Sequence, residues 1–268
     1  MFQLKNKVVV ITGASEGIGK SLALEFGKRG AITVITARST KKLKKVESIL
    51  KSNNADVFSI TLDITSKSSI KYMIKKVMEK YGKLDILINN AGVGLFEKIS
   101  NSKWSDTKKL FDTNFFGPLI CMQLVLPHMR RRKEGLIVNI SSAISKHSLF
   151  YQGIYSASKA ALERITESLD IEEYRHGVKT LLIIPDRTKT NFNRNILGSK
   201  RLVQLPFKLP MSNPNIIAKK IVASIIEEKH ICYTTLRSRV YSLAAGFYPE
   251  YINKTFKKSY NKLISKSK

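Results

Sequence analysis

The chain has 268 residues, 43% of them apolar and only 7 of them proline, enough to bury a single large core. No Pro/Gly/Ser-rich linker, tandem repeat or low-complexity block interrupts it before a Lys-rich tail. Against 20 Asp+Glu stand 47 Lys+Arg, a formal charge of +27, yet the basic residues are spread without a reader motif or an aromatic-interleaved stripe outside the tail. That distribution speaks against nucleic acid and favours anionic phospholipid, an acidic carrier protein or a phosphorylated cofactor.

Residues 1–7 place lysines among polar residues and run into an apolar stretch, 8–12, too short for a secretion signal. No apolar run approaches the roughly 18 to 20 residues that span a bilayer, so a cytoplasmic chain without membrane insertion is expected. From residue 7, β-branched runs alternate with amphipathic segments: strands at 7–12, 32–37, 56–62, 84–89, 135–141 and 179–184, helices at 17–29, 41–53, 66–81, 105–132 and 155–174. Runs such as VVVIT, DILIN, LIVNI and TLLII are apolar on both faces, as in a parallel sheet covered by helices on both sides. The pattern predicts a doubly wound α/β domain of Rossmann type over 1–235, with a basic helical extension at 236–268. In such folds ligands sit beyond the carboxyl ends of the strands.

After the first strand, Thr12-Gly13-Ala14-Ser15-Glu16-Gly17-Ile18-Gly19 opens directly into a helix. Glycines let backbone approach a phosphate, and the free N–H groups of a helix start favour negative charge, so Gly13, Ser15, Gly17, Ile18 and Gly19 are candidate pyrophosphate contacts. After the second strand, where a carboxylate would receive the ribose hydroxyls of NAD, stands Arg38, whose guanidinium suits a 2′-phosphate. NADP(H) is therefore expected over NAD(H), with Glu16 an adverse nearby charge. Tyr155 and Lys159 are spaced i,i+4 at a helix start and share one face. At about 6 Å and an effective dielectric of about 20 the ammonium stabilises a phenolate by roughly 3 kcal/mol, about two pKa units. Tyr155 could then exchange a proton with a substrate oxygen that Ser142 holds.

TGASEGIG at 12–19, NNAG at 89–92, Asn114, Ser142 and YSASK at 155–159 together resemble the short-chain dehydrogenase/reductase family, in order and spacing, over roughly residues 5–235. The resemblance implies a nicotinamide-dependent carbonyl or alcohol oxidoreductase, with Asn114, Ser142, Tyr155 and Lys159 catalytic. It implies that Asp63 holds the adenine amino group and that Asn90, Ala91 and Gly92 line the cofactor. It also implies that Lys159 holds the nicotinamide ribose and that a proton relay runs from Tyr155 through ribose, Lys159 and a water to Asn114, which kinks its helix. After the sixth strand the family usually shows Pro-Gly; here Pro185 is followed by Asp186, a residue without glycine's freedom at positive φ. By position, Thr188 and Thr190 would meet the nicotinamide amide.

No histidine or cysteine lies at metal-ligand spacing, and Cys121 and Cys232 read as reduced, buried and inert. His147 reads as a surface-loop residue, and Asp170, Glu172 and Glu173 as solvated ion-pair partners. The apolar helix around Met122, Leu124 and Leu126, with the Tyr155 helix, is a dimer interface in similar proteins, so a homodimer or higher homo-oligomer is implied. Residues 191–213, with Pro206 and Pro210, suit a mobile substrate lid. In the tail, Tyr251, Ile252, Phe256, Tyr260, Leu263 and Ile264 form one face, with Lys254, Lys257, Lys258, Lys262 and Lys266 elsewhere. That fits an interfacial helix on anionic lipid over 249–266, and equally a helix packed on its own domain or on a second subunit. The expected activity is NADPH-dependent reduction of a ketone, with a lipid-like substrate suggested by the tail. Reduction of 3-oxoacyl groups on a carrier protein, and a non-catalytic NADPH-sensing or membrane-tethered protein, are the alternatives.

Overall fold

The computed structural model describes residues 3–199, 202 and 210–265. In chain order the elements are β1 Val8–Thr12, α1 Gly17–Lys28, β2 Ile32–Ala37, α2 Thr40–Ser52, β3 Val57–Thr61, α3 Lys67–Tyr81, β4 Ile86–Asn89 and β5 Leu95–Phe96. Then follow α4 Trp104–Phe111, α5 Gly117–Arg132, β6 Gly135–Ile140, α6 Gly153–Glu173, β7 Val178–Ile184, β8 Leu197–Gly198, α7 Pro214–Ile226, β9 Ile231–Tyr233, α8 Leu236–Phe247 and α9 Pro249–Ser265. Seven strands form one parallel sheet in the order β3-β2-β1-β4-β6-β7-β9. This is the Rossmann-type sheet with helices on both faces and extra helices at the C-terminal end.

The period-two geometry of a strand sends alternate residues of β1 to opposite sides. Val9 and Ile11 join Leu22 and Phe26 of α1, Leu43 and Leu50 of α2, and Ile217 and Ile221 of α7. Val8 and Val10 join Met73 and Val77 of α3, Cys121, Met122 and Val125 of α5, and Leu169 of α6. Each such fully buried side chain stabilises the fold by about 1.5–3 kcal/mol. Because β1 pairs with β2 on one side and β4 on the other, the chain reverses direction across the sheet between them. That reversal opens a crevice at the carboxyl ends of the strands.

The helix expected at 105–132 is interrupted. Asp112–Phe116 forms a π-turn between α4 and α5, which turns the Asn114 side chain inward, where its amide bonds both the N–H and the carbonyl of Val93. Contrary to the reading of short apolar runs, Trp104–Arg132 is long and apolar enough to cross a membrane, judged by length and composition alone. Its residues Leu110, Cys121, Met122, Val125, Leu126 and Met129 are instead buried among the other elements. The carboxylate run on α6 also differs from its solvated reading: Glu173 is fully buried and chelated by Arg130 of α5. Asp170 bonds Thr180 and His230.

Within 191–213 the described residues are anchored at several points; residues 200, 201 and 203–209, with Pro206, lie outside them. Asn191–Asn195 is a 3₁₀ turn, β8 pairs with β5, and Thr188 bridges to Ser212. On α9 the aromatic face packs on the chain's own loop: Phe256 against His147 and Tyr241, Tyr260 against Phe150 and Tyr151. Lys254, Lys257, Lys258 and Lys262 remain exposed, and Lys266 lies outside the described residues.

Candidate active site

The glycine turn after β1 is built for close approach. Gly13 and Gly17 hold φ of 68° and 60°, conformations that cost a side-chain-bearing residue strain. A Cβ at Gly19 would come within 2.4 Å of the Gly13 carbonyl oxygen and 2.5 Å of Asn90 Nδ2. Asn90 braces the turn from β4, donating to the Thr12 carbonyl at 2.8 Å and to that of Gly13 at 3.2 Å. The Thr12 hydroxyl accepts from the amides of Asn90 and Ala91. Whereas α2, α3, α7 and α8 are capped by Ser39, Ser66, Asn213 and Thr235, the N-cap of α1, Glu16, makes no side-chain cap bond. Its first-turn amides are thus open to a ligand, as a dinucleotide pyrophosphate requires. Ser15 and Ile18 lie in the same turn, half-buried.

Arg38, just past β2, is exposed and makes no ion pair among the described residues. The adverse charge expected of Glu16 is neutralised: Lys42 donates to its carboxylate at 2.9 Å and Asn191 at 3.2 Å. The Lys42 hydrogen bond is the first cause holding that carboxyl below its ordinary range. Asp63, past β3, accepts from the backbone and hydroxyl of Thr65 and is exposed.

Past β4 and β6 lies the second cluster. The Ser142 side chain acts on the Tyr155 phenol to lower its pKa, and the Tyr155 ring belongs to an apolar cluster of Val93, Leu95, Leu110, Ile154 and Leu197. Phe192 presents an edge-to-face contact to that ring at 6.0 Å. One turn along α6, the buried Lys159 donates to the Ile140 carbonyl at 2.8 Å. Asn114 Nδ2 reaches Ser158 at 3.1 Å. Gly92 faces both groups: a Cβ there would fall 3.3 Å from Asn114 Oδ1 and 3.6 Å from Lys159 Nζ. The downward pull of Lys159 on the phenol is not found. Burial pushes Tyr155 up to about 12, opposed by the Ser142 side chain, and the Lys159 ammonium meets the Ile140 carbonyl instead. Burial also holds Lys159 down to about 8, with the Glu163 carboxylate acting the other way.

The family model for short chain dehydrogenase matches residues 7–200, well over half of the chain. The chain belongs to the short-chain dehydrogenase/reductase family. An uncharacterised oxidoreductase of Staphylococcus epidermidis is 32% identical over 231 residues, 86% of this chain and 96% of that protein. A 3-ketodihydrosphingosine reductase of Bacteroides thetaiotaomicron is 35% identical over 195 residues, 72% of this chain and 69% of its own length. A metagenomic short-chain oxidoreductase solved in complex with NADP superposes with a TM-score of 0.73 at 29% identity, over 88% of this chain and all of its own. As a short-chain dehydrogenase/reductase, the protein has hydride transfer with a nicotinamide dinucleotide as its reaction class.

Two features of this short-chain dehydrogenase/reductase escaped the sequence reading. Glu163, one further turn along α6 from Lys159, is buried, accepts from the hydroxyls of Ser141 and Ser145 and pairs with Lys146 at 2.9 Å. It ties the loop on both sides of Ser142 to the catalytic helix, and its i,i+4 spacing from Lys159 was the available signal. The second is the reason for Asp186. This position does not adopt positive φ, so glycine's freedom is not needed. Its carboxylate instead accepts from Arg187 N, the Thr235 hydroxyl and Arg237. The Pro185 carbonyl accepts from Ala143 at 3.2 Å, joining this turn to the Ser142 loop. The Thr188 hydroxyl donates to the Asp186 carbonyl, while the Thr190 hydroxyl caps the turn at Phe192 and its methyl abuts the Cβ direction of Gly17. His147 is a packing residue: its carbonyl accepts from Tyr241 and its ring meets Phe256.

Proposed function

We propose that the protein is an NADP(H)-dependent reductase of a ketone carried on an apolar, lipid-like molecule. The observation that carries this reading is the Tyr155 ring set in an apolar cluster, one helical turn before a buried Lys159. The turn of Gly13, Ser15, Gly17, Ile18 and Gly19 would hold the pyrophosphate, Arg38 the 2′-phosphate and Asp63 the adenine. Asn90, Ala91 and Gly92 would line the ribose, with Pro185, Thr188 and Thr190 at the carboxamide. When bound, NADPH supplies the hydride to the carbonyl carbon.

The chain's own residues do the rest. Ser142 donates a hydrogen bond to the carbonyl oxygen and fixes it beside Tyr155. As the carbonyl carbon gains its new C–H bond, Tyr155 gives its phenolic proton to the oxygen and the alcohol forms. Lys159, its ammonium held by the Ile140 carbonyl, would hold the nicotinamide ribose, and Asn114 anchors the start of α6 through Ser158. An apolar surround favours a substrate with hydrocarbon beside its ketone, in keeping with the relative named 3-ketodihydrosphingosine reductase. Reduction of 3-oxoacyl groups on an acidic carrier is the second reading, favoured by the charge of +27. Exposed Ile171 on α6 and Tyr174 just past its end support a homodimer through that helix.

The test follows NADPH oxidation with water-soluble, long-chain and carrier-bound ketones. Tyr155→Phe should lose turnover while retaining NADPH binding, and turnover by that variant would sink the assignment. A preference for carrier-bound substrate that vanishes with salt would replace the lipid reading with the second.

A further inference from the structure

The helix α8 is folded inside out. Leu236, Val240, Leu243 and Phe247 recur at i, i+4, i+7 and i+11, one stripe along the helix, and stand between 45% and 77% exposed. The opposite face, turned into the protein, is Ser238, Ser242 and Ala245, with the Ser242 hydroxyl buried and unpartnered. Polar tethers impose this orientation. Thr235 and Ser238 form a capping box, Arg237 pairs with Asp186, and the Tyr241 hydroxyl donates to the His147 carbonyl at 2.7 Å. Past Phe247, exposed Tyr248 and Tyr251 prolong the apolar surface into α9.

The surroundings are cationic. From 236 to 265 the sequence has six basic residues, Arg237, Arg239, Lys254, Lys257, Lys258 and Lys262, against the single acid Glu250. Arg239 is exposed at the margin of the stripe and the four lysines are exposed on α9. We infer that α8, with the start of α9, is a docking surface for an anionic lipid bilayer. Large aliphatic and aromatic side chains flanked by cations, with tyrosines at the margin, suit the boundary between acyl chains and acidic headgroups. A second copy of the chain would bring the same cations together. The surface adjoins the active site: the tail packs on His147, Phe150 and Tyr151, in the loop that leads into α6 and Tyr155. Docking therefore sets the substrate loop at the membrane surface, going beyond the reaction itself to where its substrate is met.

The experiment is co-sedimentation of the full chain with vesicles of phosphatidylcholine alone or mixed with phosphatidylglycerol, beside its activity on a water-soluble ketone. The chain should pellet with the anionic vesicles only. Leu243→Glu with Phe247→Glu should weaken binding by at least about tenfold, and Lys254→Glu, Lys257→Glu and Lys258→Glu together should weaken it most at low salt. Soluble-ketone activity should be unchanged in both. Equal pelleting on neutral vesicles, undiminished binding of the α8 variant, or a light-scattering dimer that this variant converts to monomer would overturn the inference. Pelleting by a chain that reduces no ketone would support the surface and sink the reaction assigned above.

Discussion

Arg237, in the first turn of α8, places Nε at 2.6 Å and Nη2 at 2.5 Å from the same carboxylate oxygen of Asp186. The pair joins the turn after β7 to the C-terminal helices, and Arg237 also donates to the Pro210 carbonyl at 2.7 Å. Arg237→Ala leaves a largely buried carboxylate with only a hydroxyl and a neighbouring amide as donors. Removing one partner of such a pair should cost about 2–3 kcal/mol, the lower end of the range because the arginine is one-third exposed. Urea unfolding reads this directly, and an unchanged midpoint would show that the clamp contributes nothing.

Glu163 supports the charge of Lys159, whose burial has lowered it to about 8. Lys159 should therefore lose its proton, and reduction its rate, as pH rises through about 8. Removing the carboxylate removes an influence that raises the lysine, so Glu163→Gln should move that inflection to lower pH. A pH profile of kcat/KM that falls at the same pH in both proteins would refute the coupling. The same variant weakens the hold on Ser141, Ser145 and Lys146, which lowers kcat at every pH.

Gly19→Ala drives a methyl into the Gly13 carbonyl and the Asn90 amide. The carbonyl belongs to the turn and the amide to the side chain that braces it, so relief requires backbone movement costing about 1–3 kcal/mol. NADPH affinity, followed by fluorescence, should drop by more than about tenfold, and an affinity equal to that of the parent would mean that the turn does not hold the pyrophosphate.

Arg38 is free to meet a phosphate. Arg38→Asp should lower kcat/KM with NADPH by about 10- to 100-fold, the worth of a lost charge-assisted contact, with little loss for NADH. Parallel loss with both cofactors would take Arg38 out of the discrimination. If NADH is already preferred by the parent protein, the 2′-phosphate assignment fails at once.

The alternation of strands and helices was legible because each run carries its own period, and the burial of VVVIT or TLLII on both faces follows from their composition. Asn114 was legible only through a resemblance, since nothing local in DTNFF announces a π-turn. Its cause lies at Val93, 21 residues away. Glu173 read as solvated because its partner Arg130 is on another helix, 43 residues distant.

What the sequence by itself determined is the parallel sheet, the glycine turn after β1 and the shared face of Tyr155 and Lys159, all consequences of short-range spacing. Tertiary structure decided the rest through long-range contacts and desolvation. It turned Lys159 toward Ile140 so that burial, not its charge, governs the Tyr155 phenol. It placed the aromatic face of α9 on the substrate loop and left the apolar stripe of α8 outward, because Asp186, Thr235 and His147 hold the polar side of that helix against the domain. Periodicity can find an apolar stripe, but only packing decides which side of it meets water.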